Sequence, residues 1–164
     1  MKDKKALHTK PEKHVIGRRE LVALPELEIE EIEAKIDTGA YTSAIHCSDI
    51  HEETNADGKK VICVELLDPS HPQYNHKKLR FAEYDFRDIK SSFGEVQQRY
   101  VIRTTIELFG EVIEAEFSLS DRSDMKYPVL IGRKLLKGRF IVDVSRKNVS
   151  QKFKIKQKQK HNNL

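Results

Sequence analysis

Ile32-Glu33-Ala34-Lys35-Ile36-Asp37-Thr38-Gly39-Ala40 decides how this chain reads. Ile32, Ala34 and Ile36 alternate with charged residues at strand period, and the strand runs straight into a tight Asp-Thr-Gly turn. An Asp in a tight glycine-containing turn between apolar strands is one way to hold a reactive carboxylate in a cleft. A second segment, Val129-Leu130-Ile131-Gly132-Arg133, lies far downstream and reads as an apolar strand, a glycine and the start of a short helix. Asp-Thr-Gly occurs once in 164 residues. A site that needs two such carboxylates therefore takes the second from another copy of the chain.

Strand signals continue on both sides. Leu21 to Leu24 is an apolar run stopped by Pro25, and Leu27, Ile29, Ile32, Ala34 and Ile36 follow at mostly two-residue spacing. The shift at Glu30-Glu31 indicates a turn or bulge. Thr42 to Ile45, Val61 to Leu67, Leu79 to Tyr84, Arg99 to Leu108, Val112 to Leu119 and Phe140 to Val144 read as further strands. Asn55-Ala56-Asp57-Gly58 is a turn, 68–77 is a Pro-containing loop, and Ser91-Ser92-Phe93-Gly94 is the tip of an exposed hairpin. The one helix expected is short, from Arg133 to Lys137, closed by Gly138. Many short strands with a turn about every ten residues indicate an all-β barrel or sandwich.

Hydrophobic residues make up 38% and charged residues 34% of the chain, and no apolar run is long enough to span a bilayer. The net charge of +4 is unevenly placed: 147–164 carries +6 and 1–14 carries +3, which leaves −5 for 15–146. Residues 1–14 are expected to be a flexible basic segment, 15–146 the folded domain, and 147–164 a Lys-rich disordered tail. Alternation of Phe153 and Ile155 offers the other reading, a continuation of the last strand. The tail has one aromatic residue and no Arg, so nucleic acid is not an expected partner. Two cysteines, Cys47 and Cys63, make no disulfide framework. With no apolar stretch after the basic start, a cytoplasmic setting is expected.

The chemistry that fits a symmetric pair of such turns is hydrolysis of an amide. Two carboxylates close together cannot both ionise, so one keeps a proton while the other accepts one. The ionised member takes a proton from water and the protonated member polarises the carbonyl. Asp37 is the candidate catalytic residue, with Thr38, Gly39 and Ala40 forming its loop. The two segments in this order resemble the retroviral-type aspartic protease pattern, which implies that Leu130, Ile131, Gly132 and Arg133 form the strand and turn packed behind the Asp loop.

Three further stretches narrow the reading. They are Ile36 to His46, Ser92-Phe93-Gly94 with Arg99, and Leu119 to Arg133 followed by Val142-Asp143-Val144-Ser145. Together with Asp37-Thr38-Gly39 they resemble the bacterial retropepsin-like aspartic protease family over about Val15 to Ser145. Members are often labelled ATP-dependent zinc proteases and linked to an ATP-grasp ligase that adds glutamate to a ribosomal protein. The resemblance implies a retropepsin-like closed β-barrel, a homodimer, a peptide or protein substrate, and association with such a ligase. Ninety-five positions separate Asp37 from Gly132, longer than compact viral enzymes need. Tyr41 stands where viral enzymes often have the acid that pairs with the Arg after the second glycine, so Arg133 needs another partner, Asp143 or Asp121.

No phosphate-binding Gly-rich loop and no His-Glu-x-x-His motif occur, so no cofactor is expected. The strongest metal candidates are His46, Cys47 and His51, but strand geometry turns His46 away from Cys47. Arg87, Gly94, Arg99 and Arg122 are candidate substrate contacts, because a Glu-rich substrate needs cations in the cleft. Two rivals to the peptidase remain: a binding module that recognises an acidic peptide without cutting it, and a zinc hydrolase built on His46, Cys47 and His51.

Overall fold

A computed structural model describes residues 12–122, 124 and 126–163. Most of the expected basic N-terminal segment therefore lies outside the described residues. The chain is mostly β. Its strands are β1 (His14–Ile16), β2 (Arg19–Leu24), β3 (Ile29–Ile36), β4 (Ser43–Thr54), β5 (Lys60–Leu66), β6 (Lys78–Phe81), β7 (Asp85–Lys90), β8 (Val96–Leu108), β9 (Glu111–Ser120), β10 (Val129–Ile131) and β11 (Phe140–Val142). The helices are α1 (Arg133–Leu136) and α2 (Val149–Asn162).

The main sheet runs β10-β3-β2-β8-β9-β4-β5-β6, with β7 hairpinned onto β8. Strand β10 also pairs with β4, Leu130 opposite Ala44, so the path returns to its starting strand. Strands β1 and β11 form a separate parallel pair. Burial follows the two-residue period of each strand. On β3, Ile29, Ile32, Ala34 and Ile36 are buried while Glu30, Glu31 and Lys35 are exposed. The shift at Glu30-Glu31 is a bulge: Val22 faces Ile32 and Leu24 faces Ile29, leaving β3 one residue longer than its partner. Phe117, Ile102, Ile106, Ile62 and Ile131 are fully buried and fill the centre.

The Lys-rich tail corrects the sequence expectation. It is neither disordered nor a strand here; Val149–Asn162 is a helix. Glu20 on β2, wholly buried, supplies the reason. Its carboxylate accepts hydrogen bonds from the backbone N–H groups of Gly17 at 3.0 Å, Val149 at 3.2 Å and Ser150 at 2.7 Å. The last two are orphan donors of the first helical turn, which an anion satisfies and the helix dipole favours. Ser150 in turn accepts from the backbone N–H of Phe109 at 2.7 Å. One turn on, Phe153 sets its ring against those of His14 and Phe109. Val149 and Phe153, four apart, meet the body on one helical face.

Glu20→Ala is expected to leave buried donors unpaired and to cost about 1–3 kcal/mol in chemical denaturation. Hydrogen exchange should quicken first in 149–155. Unchanged stability and protection would remove Glu20 as the anchor of α2.

Candidate active site

Asp37 follows directly from β3 and is half-buried. Its backbone N–H donates to the Ile131 carbonyl at 2.9 Å, tying the loop to β10. Its side chain accepts from Gly39 N–H at Oδ1, 2.9 Å, and from the Ser92 hydroxyl at Oδ2, 2.9 Å. Gly39 serves by lacking a side chain, and is not among the residues with positive φ. A Cβ there would lie 3.1 Å from Asp37 Oδ1 and 3.4 Å from Ser92 Cβ.

The downstream segment closes the loop from behind. Arg133 and Lys134 donate their backbone N–H groups to the Ala40 and Tyr41 carbonyls at 2.8 and 3.0 Å. Gly132 is buried, and a Cβ on it would meet the Tyr41 carbonyl oxygen at 2.6 Å. No side chain fits that approach. Gly132 N–H donates to the Ser43 hydroxyl at 3.0 Å. The sequence partly hid this buried serine, whose only signal is a small polar residue heading an apolar strand. Arg133 pairs with neither acid expected for it. Its Nη1 donates to the Thr38 carbonyl at 2.9 Å, and its guanidinium lies over the Tyr41 ring at 5.8 Å. Tyr41 thus replaces an acid by a ring face and a nearby carbonyl. Asp143 instead accepts from Ser145.

The β7–β8 hairpin reaches over this loop. Gly94, at φ +86°, turns its tip, and Ser91 accepts at its hydroxyl from the Phe93 and Glu95 N–H groups. Ser92 touches Asp37, a contact that sequence reasoning did not name. Phe93 beside it is 90% exposed. The base of the hairpin is fastened by Glu116 on β9, which accepts from Arg87 at 2.8 Å and from Lys134 of α1 at 2.7 Å. Burial works to raise the Glu116 carboxyl, but the hydrogen bonds from Arg87 and Lys134 outweigh it and hold the group at about 2. Arg87 is therefore engaged away from Asp37.

Arg99 and Arg122 are different. Like Arg87, each has a buried Nε with no hydrogen-bond partner, but neither has a carboxylate partner among the described residues. Among the described residues Arg99 donates to Gln97, at 2.9 Å. Among the described residues no carboxylate pairs with Arg122. Burial lowers its pKa first and the charge of Arg99 lowers it further, while the Asp37 carboxylate pulls the other way. Arg122 thus feels both the Arg99 cation and the Asp37 carboxylate.

The metal candidates separate. His46 is buried, and both ring nitrogens are in use. Nδ1 accepts the Arg122 backbone N–H at 2.8 Å, which fixes the proton on Nε2 facing Asp68 at 2.8 Å. Cys47 is buried, and burial above all pushes its thiol up to about 12. His46 and Cys47 thus fit no shared metal, and among the described residues His51 alone of the three lies in a possible ligand cluster, with Glu53 and Cys63.

The RimB-like family profile, described as retropepsin-like aspartic endopeptidase RimB, matches residues 15–153. The chain belongs to this family. A protein of Shewanella halifaxensis described as a probable alpha-L-glutamate ligase is 37% identical over 137 residues, 81% of this chain and 29% of its own length. A protein of the same description from Desulfotalea psychrophila is 34% identical over 131 residues, 80% of this chain and 28% of its own. The chain thus spans under a third of these relatives. A crystal structure of a Legionella pneumophila protein of unknown function superposes with a TM-score of 0.64 at 21% identity, covering 85% of this chain and 99% of that one. That likeness supports the fold alone.

Two outcomes follow from this geometry. Gly132→Ala forces the Tyr41 backbone aside and should cost about 1–3 kcal/mol in thermal or chemical denaturation, an overpacking effect. No loss would mean the close approach is dispensable. The folded pKa of Glu116 lies below the ordinary 4.5. Its contribution is therefore complete above about 4.5 and fades as pH falls toward 2. Glu116→Gln should flatten that part of the stability–pH curve; an identical curve would contradict the clamp.

Proposed function

We propose that this chain is an aspartic endopeptidase acting as a homodimer on a retropepsin-like β-barrel closed by the two pairings of β10. Asp37 from each copy forms the reacting pair. The observation that carries this reading is the Asp37 loop held by the Ile131 carbonyl and by the backbone N–H groups of Arg133 and Lys134. One Asp37 is ionised and takes a proton from the attacking water. The other keeps its proton and hydrogen-bonds the scissile carbonyl, and the two then exchange roles as the amine leaves. The hairpin tip must lift for substrate to enter and close again to exclude water.

The substrate proposed is a Glu-rich peptide or glutamylated protein. Arg122, which feels the Asp37 carboxylate, and the neighbouring Arg99 support it, as partly buried cations with no acidic partner among the described residues. The glutamate-ligase description of much longer relatives supports it independently. In this reading the domain works alongside a glutamate-adding ATP-grasp ligase in the cytoplasm and trims what the ligase extends. Among the described residues no helix is long and apolar enough to cross a membrane.

A non-cutting acidic-peptide receptor is the second reading. The Ser92 hydroxyl on Asp37 Oδ2 favours it, because it occupies an oxygen that the chemistry needs.

With poly-glutamate peptides as probe, Asp37→Asn should abolish cleavage while peptide binding persists. Arg122→Gln should raise KM at least tenfold with a smaller change in kcat. Full cleavage by Asp37→Asn would end the peptidase reading. Binding without cleavage by the unaltered protein, weakened in Arg122→Gln, would establish the receptor.

A further inference from the structure

We propose a transition-metal site on the β4–β5 hairpin, made by His51, Glu53 and Cys63. Strand alternation puts Asp49, His51 and Glu53 on one face of β4. The register sets Cys63 of β5 directly opposite His51. One ligand atom from each of His51, Glu53 and Cys63 falls within 4.8 Å of the others. Small side-chain rotations would bring such donors onto a single ion, from three backbone positions fixed by the strand ladder rather than from a mobile loop.

Outer partners already orient the donors. His51 Nδ1 lies 3.0 Å from Asp49 Oδ2, which leaves Nε2 facing Glu53 Oε1 at 2.9 Å. Arg80 Nε holds the other Glu53 oxygen at 3.1 Å. Carboxylate-oriented histidines and fixed carboxylates of this kind are the usual outer shell of metal sites. Arg80 also sits in register with Cys63, and its charge is met by Glu53 Oε2.

The donor set names the class of ion. A thiolate, an imidazole and a carboxylate suit zinc or cobalt, whereas the thiolate disfavours magnesium and calcium. Water completes a tetrahedron. On binding, Cys63 releases its thiol proton and His51 frees Nε2, both protons passing to solvent. His51 lies eight residues along β4 from Ser43, about 26 Å at strand rise. The ion would therefore brace the hairpin rather than join the chemistry at Asp37.

The test is titration of reduced, metal-free full-length protein with Co2+. A thiolate-to-cobalt charge-transfer band should grow to one equivalent and vanish on adding Zn2+. His51→Ala, at an exposed position that leaves folding intact, should abolish it, and Cys47→Ser should leave it unchanged. Asp49→Asn should weaken binding about tenfold or more. Absence of a saturable band, a band surviving in His51→Ala, or a band lost in Cys47→Ser would overturn the site.

Discussion

The arrangement around Asp37 depends on one close approach. Gly132 brings the β10–α1 junction so near the Tyr41 backbone that a methyl group would overlap it. Because that approach is possible, β10 pairs with β3 on one side and β4 on the other. The Asp37 loop is then caught between the Ile131 carbonyl below and the α1 N–H groups beside it. A flexible loop would spread its carboxylate over many positions. Here the ordering cost is met by the sheet, and the Asp37 side chain adds a hydrogen bond of its own to Gly39.

Charge is sorted with respect to this loop. Arg87, Arg103 and Lys134 spend theirs on Glu116, which locks the hairpin base to the body. Arg80 spends its charge on Glu53, and Lys154 on Glu107. Arg99 and Arg122 have no such carboxylate partner among the described residues. Partly desolvated cations without partners are costly to keep, and a ligand's carboxylates relieve that cost. Burial lowers the pKa of both arginines, which sets them apart from the exposed cations and is the physical ground for proposing an acidic substrate.

Much of this was legible because it is local. The Asp37 turn, the apolar β10 with its glycine, the short α1 and the bulge at Glu30-Glu31 are each written in a few consecutive residues. What escaped was made by distant partners. The helicity of 149–162 rests on Glu20, more than a hundred residues earlier, and its Lys/Gln pattern carries no amphipathic signal. Ser92 reaches Asp37 across 55 positions. The sequence turns His46 away from Cys47, but that its ring is used by Asp68 and the Arg122 backbone depends on residues 22 and 76 positions away. The partner of Arg133 was missed for another reason: the reading sought an acid, and the chain supplies a carbonyl and an aromatic face.

The central claim is that Asp37 works as a pair. The most direct measurement is the separation of the two Asp37 carboxylates in a crystal structure of the oligomer, with sedimentation establishing its state in solution. The account predicts a two-fold dimer with the carboxylates about 3 Å apart, close enough to share a proton. A monomer that cleaves peptide, or a dimer holding the two side chains far apart, would contradict it.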